Sequence, residues 1–312
     1  MELPGIVGTS AGAINAVLLT AGLAKGGRHG ARQLLHSFWT QVSERPRSPF
    51  AWAPNGHFPW TAFPALYSAN WMIPPSIGWI AVEMWSRFFS PYQFNPLDVN
   101  PLRDILQELV DFNALRKAEE KLFLCATNVL TGKICIFENA EIGPEHVLAS
   151  ACLPTLFQAV QIGENYYWDG GYMGNPPIFP LIYNTSCNDV MIIQINPIRI
   201  NHVPKSPQDI ADRMNTLSFN SSLLRELRAI NFVSRLVDEG VLDSSRFKRL
   251  NIHVVEAEEV MNDLSAHSKF DTEPQFISSL HMLGRKKMIE WLGLYRDKIG
   301  HASTVDLAAT FL

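Results

Sequence analysis

A surplus of positive charge is missing from these 312 residues: 26 Lys and Arg stand against 30 Asp and Glu, and only 18% of the chain is charged. Gripping a phosphate backbone takes such a surplus, so nucleic acid is excluded as the expected partner. Cysteine is scarce as well. Cys125, Cys135, Cys152 and Cys187 include no C-x-x-C pair and sit mostly in apolar runs. That pattern speaks against a zinc site and predicts reduced, buried thiols in a reducing compartment, hence a cytoplasmic location. Long unbroken apolar runs are lacking too. The most membrane-like window, NWMIPPSIGWIAVEMWSRFF, is interrupted by Pro74-Pro75 and carries Glu83 and Arg87, so no spanning helix is expected. No basic segment precedes the first apolar run, which predicts no signal peptide on this chain. Internal repeats and low-complexity tracts are also absent.

What is present has enough length to bury a substantial core, as one α/β domain or two smaller ones. Ala11 to Ala24 reads as a largely apolar helix ended by Gly26-Gly27, and Ala31 to Val42 as an amphipathic one. Between about residues 45 and 100 prolines recur at short intervals, and most of the eight tryptophans fall between Trp39 and Trp85. Such a stretch suits an insertion better than regular structure, and its aromatics fit a lid, an acyl-chain pocket, a membrane-docking surface or a small core of their own. Asn100-Pro101 opens a helix to about Val110. Lys121–Val129 and Lys133–Phe137 form a predicted hairpin around Thr131-Gly132, and Val160–Ile162 with Tyr166–Trp168 a second one. Between them Glu145–Cys152 reads as a helix stopped before Pro154. Val190–Ile195 is a continuous apolar run that predicts a buried strand. Helix from Pro207 to Glu239, a strand near Asn251–Val255 and a closing helix over Pro274–Lys298 complete an α/β pattern with a mixed sheet.

Chemistry enters at GIVGTSAGAINA, Gly5 to Ala16. Gly8-Thr9-Ser10-Ala11-Gly12 is G-x-S-x-G between an apolar strand and an Ala/Leu-rich helix, the setting of a nucleophile elbow. Gly8 and Gly12 let strand and helix approach closely. The helix aims its amides and positive end at Ser10, which makes the Ala11 N–H a candidate donor to a developing oxyanion. A serine needs a base. In NYYWDGGYMGNPP, Asp169 ends an aromatic strand ahead of Gly170-Gly171, a fixed and partly desolvated carboxylate in one reading and an ordinary Asp-Gly turn in the other.

Taken together, VGTSAGAINA and ASACLPTLFQAVQIGENYYWDGGYMGNPP resemble the patatin-like phospholipase family, with its G-x-S-x-G and later D-G-G. The spacing of Pro154 and Phe157 and the Asn175-Pro176 after the aspartate strengthen the resemblance, which covers roughly residues 5 to 200. It implies a three-layer α/β/α sandwich with a mixed, mainly parallel central sheet. It also implies a Ser–Asp dyad: Ser10 as nucleophile, Asp169 as the base, and Gly8, Gly12, Gly170 and Gly171 as supports of the site. Cofactors and metals are not expected. The substrates it implies are phospholipids or other acyl-ester lipids, reached through peripheral membrane contact, and the reaction passes through an acyl-enzyme. On this view residues 1–200 form the catalytic domain, N-terminally incomplete and with the insertion at about 45–100. Residues 201–312 form a mainly helical C-terminal portion packed on it, similar to that of bacterial members.

One feature of the family is not found. Patatin-like proteins carry a first strand and a glycine-rich oxyanion loop before the elbow, whereas KGGRHGAR, Lys25 to Arg32, follows the nucleophile helix and reads as a helix end. A shortened start is therefore expected, since the strand at Gly5 would otherwise leave a gap in the sheet. A lost oxyanion donor costs about 2.7–4 kcal/mol, so a weak or inactive lipid-binding relative is one alternative, and an acyltransferase using the same dyad another. A Ser-His-Asp triad is the third. It would place several strands before the elbow, and among the late histidines His253 sits in an apolar strand while His267, His281 and His301 have no distinctive setting.

Overall fold

The computed structural model describes residues 2–44, 90–264, 268 and 271–312. Gly5–Thr9 forms the first strand, β1, and Ala11–Glu44 the helix α1 that leaves it. Two arms make up α1, because Gly26 (φ -157°, ψ 26°) and Gly27 (φ 57°, ψ -149°) depart from helical geometry. The left-handed φ at Gly27 suits a residue without Cβ. The second arm returns along the first: Trp39 Nε1 donates to Asn15 Oδ1 at 3.0 Å. A Cβ on Gly22 would lie 2.4 Å from the Ala31 Cα, so the arms meet backbone to backbone.

Helix α2 (Pro101–Leu109) starts at Asn100, whose side chain accepts from Leu102 N at 3.1 Å, as the Asn-Pro pair predicts. Strands β2 (Lys121–Asn128) and β3 (Ile134–Glu138) form the first hairpin, turned through Gly132 at φ 65°. Helix α3 (Pro144–Ser150) leads to the second hairpin, β4 (Val160–Ile162) and β5 (Asn165–Asp169), turned at Gly163 with φ 60°. Then follow α4 (Phe179–Asn184), β6 (Asp189–Gln194), α5 (Pro207–Asp238), β7 (Asn251–Glu256), α6 (Pro274–Tyr295) and a short α7 (Leu307–Phe311). The Pro/Trp-rich stretch from residue 45 to 89 lies outside the described residues.

The fold is an α/β sandwich built on a mixed sheet. Strand β2 is its centre, buried at every position but Lys121. Parallel to it runs β1, from Gly5 opposite Lys121 to Thr9 opposite Cys125. Antiparallel to it, β3 pairs over residues 123–127 and β5 over residues 126–128. A strand has only two edges, so these registers decide the layout. Phe123 to Cys125 have β1 on one edge and β3 on the other, whereas Ala126 and Thr127 have β5 and β3. Strands β1 and β5 therefore share one edge of β2 and meet end to end. Among the described residues β6 and β7 pair with each other, in parallel, as a separate two-stranded sheet.

Two apolar cores hold these sheets. The first packs both arms of α1, through Val17, Leu18 and Phe38, onto Leu122, Leu124 and Leu148. Each such side chain, taken fully out of water, contributes about 1.5–3 kcal/mol. The second core joins Ile178, Val190, Ile192 and Ile252 to Leu227 on α5 and Phe311 on α7. It draws on chain before residue 200. The expectation of a strand buried on both faces at Val190–Ile195 is corrected here: Val190 and Ile192 are buried, but Ile193 and Ile195 are 59% and 60% exposed. Residues of this second core on α5 and α7 pack against one face of β6 and leave its alternate residues to solvent.

Candidate active site

The end-to-end meeting of β1 and β5 is the feature from which the site follows. Thr9 is opposite Cys125 and Asp169 opposite Ala126, consecutive residues of β2 and about 3.3 Å apart along the strand. Neither strand can continue, because each occupies the next place of the other. Ser10 turns off at φ 57°, a conformation that costs a non-glycine residue about 1–2 kcal/mol. Gly170 turns off into a single 3-10 turn, Gly170–Tyr172. A side chain there has no room: a Cβ on Gly170 would lie 2.1 Å from the Cys125 carbonyl oxygen. The two sequence motifs are thus brought to adjoining positions.

Ser10 is held from below. Its N–H donates to the Ser150 hydroxyl at 3.1 Å, and that hydroxyl donates onward to the Cys125 carbonyl at 2.6 Å. Thr9 Oγ1 donates to the Gly174 carbonyl at 2.8 Å and ties the end of β1 to the loop after Asp169. The Ser10 carbonyl accepts from Ala13 N, which starts α1 directly at the turn. The amides of Ala11 and Gly12 open the helix, where no carbonyl of a preceding turn exists to take them. The glycine requirement at the elbow is one-sided. A Cβ on Gly8 would lie 2.4 Å from the Gly12 carbonyl oxygen, but a Cβ on Gly12 would meet nothing among the described residues. The expectation that Gly12 must be small to let backbones approach is corrected accordingly: the crowding falls on Gly8, because Gly12 is exposed on the helix.

Asp169 is fully buried. Its N–H donates to the Cys152 carbonyl at 2.8 Å, its carbonyl accepts from Thr127 Oγ1 at 2.8 Å, and its Oδ1 accepts from Gly171 N at 2.7 Å. Gly171 is needed small for a second reason: a Cβ would lie 2.2 Å from the ring of Phe219 on α5. The same helix supports the loop further along. Asn175 N donates to Ser222 Oγ at 3.2 Å, and Glu226 accepts from Ile178 N and Phe179 N at 2.7 and 3.0 Å. Burial raises the Glu226 carboxyl above its ordinary value against these bonds. Tyr172 packs on Phe219 with ring centroids 5.3 Å apart, and burial, followed by the nearby Asp169 charge, pushes its hydroxyl up.

The buried cysteines and the late histidines have surroundings of their own. Burial holds the Cys125 thiol well above its ordinary range and pushes Cys152 up to about 12, so neither forms a thiolate at neutral pH. Among the described residues no histidine is hydrogen-bonded to Ser10. His253 lies on β7 in the other sheet, with Nε2 2.9 Å from Asp189 Oδ1 and Nδ1 3.3 Å from Thr304 Oγ1. His281 and His301 are exposed, and His267 lies outside the described residues. Among the described residues no group of three or more His, Cys, Asp or Glu could hold a metal, and no helix is long and apolar enough to cross a membrane.

Ser150, Tyr172, Ser222 and Glu226 escaped the reading of the sequence. Ser150 alone left a signal, a hydroxyl inside the otherwise apolar VLASAC run. In comparison with known families, the model of the patatin-like phospholipases matches residues 2–182. No curated protein matches the chain.

Proposed function

The chain belongs to the patatin-like phospholipase family, and from that membership we propose that Ser10 and Asp169 form a two-residue dyad that hydrolyses acyl esters of lipids through an acyl-enzyme. The observation that carries the proposal is the meeting of β1 and β5 on one edge of β2, which puts the ends of the two motifs side by side. In the proposed cycle Ser10 Oγ attacks the ester carbonyl while Asp169 takes the hydroxyl proton. The negative oxygen of the tetrahedral intermediate faces the start of α1, where the Ala11 N–H and the positive helix end oppose its charge. Asp169 returns the proton to the departing alcohol. Water then repeats the sequence on the acyl-serine and releases a fatty acid.

An aspartate in water, with a pKa near 3.9, is a weak base for a serine hydroxyl. Its usefulness here rests on burial and on a position fixed by three bonds, two of them from its backbone. A fluorophosphonate probe applied to the 312-residue chain tests the proposal, alongside hydrolysis of a medium-chain ester. Labelling and turnover that both disappear in Ser10→Ala are expected. Labelling or turnover that survives in Ser10→Ala, or a folded wild-type chain that shows neither, would contradict it.

A further inference from the structure

The turn of α1 carries a feature that the dyad does not use. Between its two arms runs an open groove of about 380 Å³, lined by Leu19, Leu23, Ala31 and Leu35 and flanked by Arg28 and Arg32. Its wall is apolar, and its cations stand one helical turn apart, on the same side of the second arm. Lys25 and His29 extend the basic group, and all of Lys25 to His29 is exposed. Acidic residues are absent from the whole stretch between Glu2 and Glu44, although the chain as a whole has a formal net charge of -4. Positive charge is therefore concentrated at this turn. Among the described residues no carboxylate pairs with Lys25, Arg28 or Arg32.

We infer that the turn of α1 is a docking site for an anionic lipid bilayer, with an acyl chain lying in the groove and the lipid phosphate held by Arg28 and Arg32. A water-soluble phosphate would have no use for the apolar wall. An uncharged lipid would have none for the arginines. The two features together fit an amphiphile of negative head group, and the exposed turn fits a surface. The first arm, Ala11 to Lys25, separates this turn from Ser10 by roughly 20 Å along the helix. The site therefore places the protein on its substrate phase without entering the acyl-transfer step, and it stands whether or not the dyad reacts.

Co-sedimentation of the full chain carrying Ser10→Ala tests it, with vesicles of phosphatidylcholine alone or mixed with phosphatidylglycerol. The Ser10→Ala background removes turnover, so a failed dyad and a failed docking site give separate results. Binding at least tenfold tighter to the phosphatidylglycerol vesicles is expected, falling as salt is raised. Arg28→Gln with Arg32→Gln should weaken it by about 25-fold, at roughly fivefold per cation. Leu23→Ser should weaken it severalfold with the salt dependence unchanged. Far-UV circular dichroism and the melting temperature verify that the variants are folded. Equal binding to both vesicle types, no binding to either, or binding indifferent to the arginine pair in a folded chain would overturn the inference.

Discussion

Two aspartates at the ends of strands receive different surroundings in this molecule. Asp169 closes β5 at the point where β1 ends, beside a serine held in a strained turn. Asp189 opens β6 in the other sheet, and its Oδ1 takes bonds from His253 Nε2 at 2.9 Å, Gly300 N at 2.8 Å and Asn251 Nδ2 at 3.3 Å. His253 is itself 1% exposed and spends its second ring nitrogen on Thr304. The Asp189–His253 pair has the partners of a catalytic His–Asp unit and no free ring nitrogen to offer a substrate. What separates the carboxylate of the proposed dyad from a structural one is sheet register, which sets Asp169 beside the Ser10 turn and Asp189 within a network of its own.

Substitutions can break this contrast in order of expected effect. Asp169→Asn, nearly isosteric, should lower ester hydrolysis on the order of 10⁴-fold while leaving the melting temperature close to wild type. Gly170→Ala places a methyl against the Cys125 carbonyl and should cost about 3 kcal/mol or more in urea unfolding, with hydrolysis lost as the junction opens. Ser150→Ala removes both the acceptor of Ser10 N–H and the donor to Cys125, so a loss of about 1–3 kcal/mol and a measurable fall in kcat are expected.

The other aspartate should respond in stability alone. Burial by itself would raise the Asp189 carboxyl, but the bonds from His253, Gly300 and Asn251 outweigh it and hold the group below its ordinary value. A depressed carboxylate contributes stability that is full above its unfolded value, about 3.9, and is lost as pH falls through the folded one. Asp189→Asn should therefore cost about 1–2 kcal/mol at neutral pH, keep ester hydrolysis, and show a shallower drop in urea midpoint between pH 5 and pH 3. Gly12→Ala should have the smallest effect. Its Cβ meets open space among the described residues, and alanine favours helix by up to about 1 kcal/mol, so stability should hold or rise slightly.

The strand–turn–helix around Ser10, the strand end at Asp169 and most strand boundaries were legible because they rest on local requirements. Gly26-Gly27 marks a helix break, Gly132 and Gly163 mark hairpin turns at positive φ, and Asn100-Pro101 marks a helix start. The meeting of β1 with β5 was not legible, since nothing in a strand's own residues tells which edge of a neighbour it takes. Ser150 and Glu226 acquire their roles only when helices α3 and α5 are packed against the junction. The half-exposed face of β6 was misread for the same reason: an apolar run carries no sign of how many faces will be covered. The chain also closes with α7, whose five residues are too short for a periodic signal.

The most direct measurement sets the two buried networks against each other: steady-state hydrolysis of a medium-chain ester by Asp169→Asn and by His253→Gln, each verified as folded. A dyad at the β1–β5 junction predicts that the rate collapses in Asp169→Asn and stays within about threefold of wild type in His253→Gln. Substantial turnover by Asp169→Asn, or loss of turnover in a folded His253→Gln, would contradict it.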